Sequence, residues 1–459
     1  MSYSPWRRWL NLALWIAAFL WMSALFVRSS DERQRLWMSA DVAWQWMMGH
    51  ALVKGELDQL YTVGAGERWL AEGYDVPFAA EMVTKLLRKG RDHRPMPDGI
   101  DGPLYPPVAS FAFVWQGCFS PRQAHQLSIL LQCGCTVLSA WVISLIVQGR
   151  ITSGEVLLIL CFYPHHYAGM TLGQNHPFSL LLLSLGWCSW QRGRLLLAGL
   201  LWGCFIYKPV ILAALVLIPL AKLQGRVFLG MCCSACLLCL ATLPFTRGLE
   251  PWKRWLTVAQ RASVIYELDR RWIWMSRDVS SLPRRAMWKA DEFTEQAHML
   301  IHANTASPQF MAINLEKLDS GQVYSPPWTK YAGWSILAII AVTAIGLSGR
   351  EMQCFQYQAD AFLLLSSCLC IYRFMYYDLL LTVLPIILLM LQWLRQPLWL
   401  RVISVTVWLF LFGSVAHFLI APSYALQTLP LELLGLLLLW TALAMNQVRS
   451  IIYARKVAV

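Results

Sequence analysis

Apolar runs of about 20 residues recur along this 459-residue chain. A helix of about 20 residues crosses the ~30 Å hydrocarbon core of a bilayer. Hydrophobic residues make up 57% of the chain and charged residues only 14%, where soluble domains have about 25%. The sequence therefore predicts an all-α fold, a polytopic transmembrane helix bundle that forms a single domain over residues 1–459. About twelve spans are predicted, at 9–27, 105–120, 125–147, 153–170, 177–191, 195–221, 227–245, 331–348, 358–376, 378–396, 400–420 and 430–447.

Basic residues indicate how these spans cross the membrane. Arg7 and Arg8 precede the first span, so the positive-inside rule places the N-terminus in the cytoplasm. Regular alternation of the spans then puts the C-terminus in the cytoplasm and two long polar loops, 29–102 and 247–330, outside. We expect a multi-pass protein of the plasma membrane. Its net charge of +12 is first a topology signal and does not indicate nucleic-acid binding.

The cysteines do not indicate a disulfide framework. All thirteen lie within or beside hydrophobic stretches, and neither long loop contains one. The spacing of Cys233, Cys236 and Cys239 resembles a metal motif, but an apolar run favours packing as small hydrophobes. We expect no metal and no cofactor.

The first outer loop carries an isolated acid, Asp41, shortly after the first span. If a helix begins there, Trp44, Met47, Met48 and Ala51 form one apolar stripe, which is typical of a helix lying in the membrane interface. Asp41 then either caps this helix or performs chemistry at the membrane surface. A second surface helix is predicted further along the loop, with its apolar stripe at Phe78, Met82, Leu86 and Leu87.

Polar residues interrupt several predicted spans. His165-His166 and Gly173-Gln174-Asn175 need hydrogen-bond partners at membrane depth. Lys208 lies midway along an apolar run of 27 residues, where an unpaired ammonium costs at least ~2.5 kcal/mol. An intramembrane charge is by default a functional candidate; the alternatives are that Lys208 snorkels to the interface or neutralises a nearby carboxylate for structural reasons.

Several short motifs occur in a consistent order over residues 41–385. They are Asp41 with Gly55-Glu56-Leu57-Asp58-Gln59-Leu60-Tyr61, Leu104-Tyr105-Pro106-Pro107, Leu172-Gly173-Gln174-Asn175, Ala198-Gly199 with Tyr207-Lys208-Pro209, and Tyr376-Tyr377-Asp378-Leu379. In this order and spacing the chain resembles glycosyltransferase family 87. The resemblance implies the GT-C architecture, with interfacial helices in the two outer loops, and transfer of a sugar, typically mannose or another hexose, from a polyprenyl-phosphate carrier.

The resemblance also implies which residues form the site. Asp41 corresponds to the catalytic acid of the first outer loop, which we expect to act as general base. The leaving phosphate needs a cation, for which Lys208, Arg373 and Arg94 are candidates. The expected substrate-binding residues are Lys208, Asp378, Gln174, Asn175, Arg373, Tyr105 and Tyr377.

Two departures from the family pattern bear on the sugar. Cys370-Ile371-Tyr372-Arg373 stands where many relatives have a Ser-Pro pair, and Tyr376-Tyr377 replaces a His-His pair of some mannosyltransferases. The predicted partners are a polyprenyl-phosphate-linked sugar, a glycan or glycolipid acceptor and the lipid bilayer, with inverting single displacement at the outer face. A transporter or flippase of lipid-linked sugars, and a relative that only binds such a lipid, are the alternatives.

Overall fold

In the computed structural model, the apolar runs of the sequence are helical. The structure describes residues 5–36, 40–62, 65, 68–69, 72–73, 103–163, 165–166, 169–170, 173–268, 276–286, 328–348, 356–420 and 430–458. Within these ranges the secondary structure is all-helical, apart from one isolated bridge between Ser276 and Met375. The all-α prediction is therefore confirmed.

Seventeen α-helices carry the described part of the chain, joined in places by short 3₁₀ turns. In order they are α1 Pro5–Leu36, α2 Ala40–Val53, α3 Ala109–Gly117, α4 Pro121–Ile146, α5 Ser153–Phe162, α6 His176–Gln191, α7 Leu195–Gly203, α8 Pro209–Leu215, α9 Leu217–Ala221, α10 Gly225–Thr246, α11 Glu250–Leu268, α12 Leu282–Ala286, α13 Trp328–Ser348, α14 Gln356–Leu369, α15 Val383–Met390, α16 Leu398–Ile420 and α17 Leu431–Ala458. The 3₁₀ turns are Leu57–Gln59, Cys204–Tyr207, Val279–Ser281, Tyr376–Thr382 and Trp393–Arg395.

Four of the described helices are long and apolar enough to cross a membrane. They lie at Pro121–Ile146, Gly225–Thr246, Trp328–Ser348 and Leu431–Ile452. Five other apolar segments form helices of 10–17 residues. The structure thus supports a polytopic membrane protein, whereas the count of about twelve spans and the GT-C architecture stay predictions.

The predicted alternation of the spans is wrong in the first third of the chain. Alternation makes segments 9–27 and 153–170 antiparallel, but α1 and α5 run parallel. The Asn11 side chain accepts a hydrogen bond from Gly154 N at 2.9 Å, and Trp21 Nε1 donates to Cys161 O at 2.9 Å. The reason is that the predicted span 105–120 contains only α3, whose nine residues extend about 13 Å and cannot cross the bilayer.

The structure differs from the predicted spans a second time at segment 195–221. This segment is not one span, because the chain reverses at Lys208-Pro209. Helices α7 and α10 are parallel, since Gly199 packs against Val227 and Gly203 packs against Met231. Only three residues join the end of α9 to the start of α10. The chain from residue 209 to residue 221 therefore runs back along the length of α7.

One predicted crossing is lost at 105–120 and one is added at 195–221. The two long loops therefore still lie on the same side of the protein. Arg247 Nη1 is 3.4 Å from Asp58 Oδ2, which joins the start of the second loop to the first. Trp255 Nε1 in α11 also donates to Leu104 O at 3.0 Å. The predicted surface helix at residues 78–87, Arg94 and most of loop 247–330 lie outside the described residues.

Candidate active site

Helix α2 is buried within the protein over residues 42–49, so its apolar stripe packs against protein, and its position at the membrane interface stays a prediction. Residues 42–49 are all buried, including Gln45. Between Asp41 and His50 the sequence has only one polar residue, so the helix offers no hydrated face, and a helix that is apolar all round belongs inside a bundle. Asp41 is therefore carried by a rigid internal helix, in the first turn at its N-terminal end.

Two glycines let α2 approach α3 closely. A Cβ atom on Gly49 would lie 2.0 Å from Phe113 O, and one on Gly117 would lie 2.2 Å from the carbonyl carbon of Gly49. Small residues at such crossings allow backbones to touch in helix bundles. Trp46 Nε1 adds a hydrogen bond to Phe119 O at 3.0 Å. These contacts fix the position of α2, and with it the position of Asp41.

Gln45 joins α2 to the loop that precedes α6. It lies one helical turn after Asp41, so both side chains share one face of α2. Gln45 Nε2 donates to Gly173 O at 3.0 Å, and Gln45 Oε1 accepts from Gln116 Nε2 at 3.1 Å. Gly173 has a φ of 74°, which glycine adopts readily. The chain of contacts presents the next residue, Gln174, to Asp41.

A side-chain hydrogen bond joins Gln174 to Asp41. Burial raises the pKa of the Asp41 carboxyl to about 6. A side-chain hydrogen bond from Gln174 and the charge of Lys208 oppose this rise, whereas the charge of Asp378 adds to it. The site therefore holds a carboxylate whose pKa is close to physiological pH, a property that suits a general base.

Lys208 lies where the chain reverses between α7 and α8. Proline cannot continue the incoming helix and disfavours an α conformation of the residue before it, so Lys208 takes φ −127° and ψ 77°. Its Nζ is 3.1 Å from Asp378 Oδ1, with the side chains 10% and 8% exposed. The hydroxyl groups of Tyr207 and Ser179 are 2.6 Å apart and fasten this turn to α6.

The 3₁₀ turn Tyr376–Thr382 presents Asp378 from the other side. Tyr163 OH and Thr382 Oγ1 are 3.1 Å apart, which ties the end of α5 to this turn. The ring of Tyr377 has Lys208 Nζ 5.5 Å from its centroid, a cation–π distance. Four separate segments of the chain thus bring Asp41, Gln174, Lys208, Tyr377 and Asp378 together.

The other predicted site residues take different positions. Asn175 adjoins Gln174, is partly buried, and its Nδ2 has no hydrogen-bond partner within the described ranges. Tyr105 packs its ring against Phe113 at 5.4 Å, and its carbonyl oxygen accepts from Tyr61 OH at 2.5 Å. Arg373 is partly exposed in the turn before Phe374, with a φ of 61° that is unusual for a residue with a side chain.

Sequence reasoning missed a second group of buried charges beside the first. Arg277 Nε donates to Glu432 Oε2 at 3.1 Å, and the Arg277 guanidinium lies 5.2 Å from the centroid of the Tyr376 ring. His165 Nε2 is 3.9 Å from the same Glu432. Two features of the sequence could have indicated this group. His165 is a polar residue within an apolar run, and Glu432 is a single carboxylate at the start of the last apolar run.

Metal ligands do not assemble within the described part of the chain, where no three His, Cys, Asp or Glu side chains come close enough to hold an ion. The residues that meet at Asp41 are instead two carboxylates, one ammonium and neutral amides. Such a set suits proton transfer and hydrogen bonding to a polyhydroxylated ligand.

Fold and site together define an all-helical protein with membrane-spanning helices and a cluster of charged residues between them. The sequence model of glycosyltransferase family 87 matches residues 104–371. This match covers more than half of the chain, which therefore belongs to glycosyltransferase family 87 and is a membrane glycosyltransferase. No curated protein and no solved structure matches the chain.

Proposed function

We propose that this protein transfers a sugar, mannose or another hexose, from a polyprenyl-phosphate carrier to a hydroxyl of a glycan or glycolipid acceptor. The membership of a glycosyltransferase family supports the reaction class. The observation that carries the proposal is the carboxyl of Asp41, whose pKa is raised to about 6 by burial while Gln174 binds it. No described contact uses this carboxyl to close an ion pair, which leaves it available to a substrate hydroxyl.

The reaction follows from these groups. The Asp41 carboxylate takes the proton of the acceptor hydroxyl, and the acceptor oxygen forms a bond to the anomeric carbon of the sugar. The bond between that carbon and the phosphate oxygen breaks, and polyprenyl phosphate leaves with the electron pair. One displacement inverts the anomeric configuration. One displacement does not require a second carboxylate as nucleophile. The nearby Asp378 is occupied by its contact with Lys208.

Neighbouring polar groups supply substrate contacts in this proposal. Gln174 orients the Asp41 carboxyl. The buried and unpartnered Nδ2 of Asn175 is suited to donate to a sugar hydroxyl, because an unsatisfied buried donor gains from any acceptor brought by a ligand. The ring of Tyr377 offers a face for the sugar ring. This displacement uses no metal and no cofactor.

We place the reaction at the outer face of the plasma membrane, with both termini in the cytoplasm. The positive charges of Arg7 and Arg8 support this orientation. Since loop 29–102 follows the first helix, and its residue Asp58 contacts Arg247, the Asp41 site and the second loop share one side of the protein. A lipid-linked donor would reach the site from the bilayer.

A donor-consumption assay tests the proposal. Membranes containing the full chain are incubated with a panel of polyprenyl-phosphate sugars and a membrane extract as acceptor source, and loss of donor and gain of polyprenyl phosphate are followed. The Asp41→Asn protein is the matched control. Consumption of one donor by the wild type alone supports glycosyl transfer. Movement of intact donor between leaflets without consumption would instead identify a flippase.

A further inference from the structure

The charge balance at Asp41 is unfavourable for a phosphate. One ammonium, on Lys208, is accompanied by two carboxylates, on Asp41 and Asp378. With both carboxylates ionised, as the general-base step requires, this group carries an excess of one negative charge. Lys208 is also occupied by Asp378 at 3.1 Å. A phosphate placed against Lys208 would meet both carboxylates, and like charges at short range repel.

The second charged group has the opposite balance. Arg277, Arg284 and Arg285 are each 7% exposed, and among the described residues their neighbouring carboxylates are Asp278 and Glu432. Among the described residues, three guanidinium groups therefore face two carboxylates. A bound anion would stabilise such a buried cluster of positive charge.

Two of the arginines are held in place by the protein. Arg277 is fixed by Glu432 and by a hydrogen bond that its Nη1 donates to Ser276 O at 3.0 Å. Arg285 Nε donates to Ser281 Oγ at 3.3 Å, and its Nη2 donates to Ser276 O at 2.6 Å. Arg284 differs, because its buried Nε has no hydrogen-bond partner within the described ranges. An unpartnered and 93% buried guanidinium donor indicates a ligand.

The pKa of Arg285 supports the same conclusion. Burial, and then the positive charge of Arg277, lower the pKa of the Arg285 guanidinium to about 9, against the opposing charges of Asp278 and Glu432. An added negative charge beside Arg285 would raise this pKa and favour the charged guanidinium.

This arginine group lies directly beside the Asp41 site. Arg277 N donates to Phe374 O at 2.5 Å, and Ser276 pairs with Met375, so segment 276–286 is fastened to the residues that open the turn Tyr376–Thr382. Tyr376 faces Arg277, and the next residue, Tyr377, faces Lys208. Because Tyr376 and Tyr377 are consecutive, the arginine group and Lys208 contact neighbouring positions of the same turn.

We propose that Arg277, Arg284 and Arg285 form the site for the phosphate of the lipid-linked sugar, and that Lys208 is a partner of Asp378 rather than a phosphate ligand. This inference rests on the proposed function. A phosphodiester carries one negative charge, opposite in sign to the three guanidinium groups. Planar guanidinium groups bind phosphate oxygens through pairs of hydrogen bonds, and the second charge that develops on the leaving polyprenyl phosphate meets the same donors.

Binding to the full chain in neutral-lipid nanodiscs tests the site. The probes are farnesyl phosphate, farnesol and inorganic phosphate. We expect the wild type to bind farnesyl phosphate at least ~10-fold more tightly than farnesol, and Arg284→Gln to lose ~10-fold or more of that affinity. Arg284→Lys should retain part of it. The matched control is Arg254→Gln, which removes a positive charge from a surface pair with Glu250 in the same loop.

The variant Lys208→Met/Asp378→Asn removes the ion pair beside Asp41. It should keep the affinity for farnesyl phosphate within ~3-fold. If it loses that affinity while Arg284→Gln and Arg285→Gln keep it, the phosphate lies at Lys208 and this inference is wrong, although the proposed function stands. Equal competition by phosphatidylglycerol nanodiscs would assign the arginines to a membrane headgroup, and equal competition by inorganic phosphate to a free anion. Equal binding of farnesyl phosphate and farnesol by the wild type would refute the polyprenyl-phosphate donor itself.

Discussion

Lys208 Nζ and Asp378 Oδ1 are 3.1 Å apart, although 170 residues separate the two in sequence. By sequence alone the lysine is an intramembrane charge without an assigned partner. The structure pairs it with the acid of the turn Tyr376–Thr382, at the point where α7 gives way to α8. The ion pair therefore joins the two halves of the chain at the site.

Replacement of Lys208 by methionine tests the contribution of this ion pair to stability. Lys208→Met leaves Asp378 largely buried without its cation, and we expect a loss of about 3–5 kcal/mol in the free energy of unfolding, measured by SDS titration in mixed micelles. The double variant Lys208→Met/Asp378→Asn should recover most of the loss, since both charges are then gone. Equal stability of Lys208→Met and the wild type would show that the pair contributes nothing.

The crossing of α2 and α3 allows a second test of how the site is held. Gly49→Ala places a Cβ atom 2.0 Å from Phe113 O, so the two backbones must separate. We expect a destabilisation of about 1–3 kcal/mol together with a reduced turnover, because Asp41 moves with α2. The control is Gly134→Ala in α4, where no atom lies within 4 Å. That exchange should stabilise the helix slightly, and similar behaviour of the two variants would contradict the close crossing.

Much of the site could be predicted because polar residues in apolar surroundings require partners. Asp41, Gln174, Lys208 and Asp378 each interrupt or border an apolar run, and the structure brings all four together. Their chemical roles stay predictions. Hydropathy was less informative about the path of the chain. A run of 27 apolar residues looks the same whether it crosses once or, as at Lys208-Pro209, reverses halfway.

The arginine group was not predicted, for a related reason. Arg284 and Arg285 lie in a polar loop, where arginines are usually solvated, and sequence does not reveal that this segment docks against Phe374 and Met375. Glu432 likewise resembles an ordinary acid at the start of a helix. Burial of these residues arises from tertiary contacts between distant segments, which periodicity and composition do not encode.

The raised pKa of Asp41 predicts how kcat/KM depends on pH, and two substitutions should shift this dependence in opposite directions. As a base Asp41 acts when deprotonated, so kcat/KM should fall as the pH drops through about 6 and level off above it. Gln174→Leu removes a hydrogen bond to the charged form and should move this limb to higher pH. Asp378→Asn removes a nearby negative charge and should move it to lower pH. Profiles of kcat/KM against pH check both, and two shifts of the same sign would contradict the arrangement.

Asp41→Asn distinguishes the catalytic role of this residue from a structural one. An amide is nearly isosteric, can still cap α2 and can still exchange a hydrogen bond with Gln174, so folding and binding of the lipid donor should be close to those of the wild type. It cannot accept the proton of the acceptor hydroxyl, and we expect transfer to fall by at least ~100-fold. The matched control is Asp58→Asn, an acid of the same loop that pairs with Arg247 at 3.4 Å and should retain most of its activity. Turnover of Asp41→Asn near the wild-type level, measured with the donor that the panel identifies, would remove Asp41 from the reaction and leave its carboxyl as a helix cap.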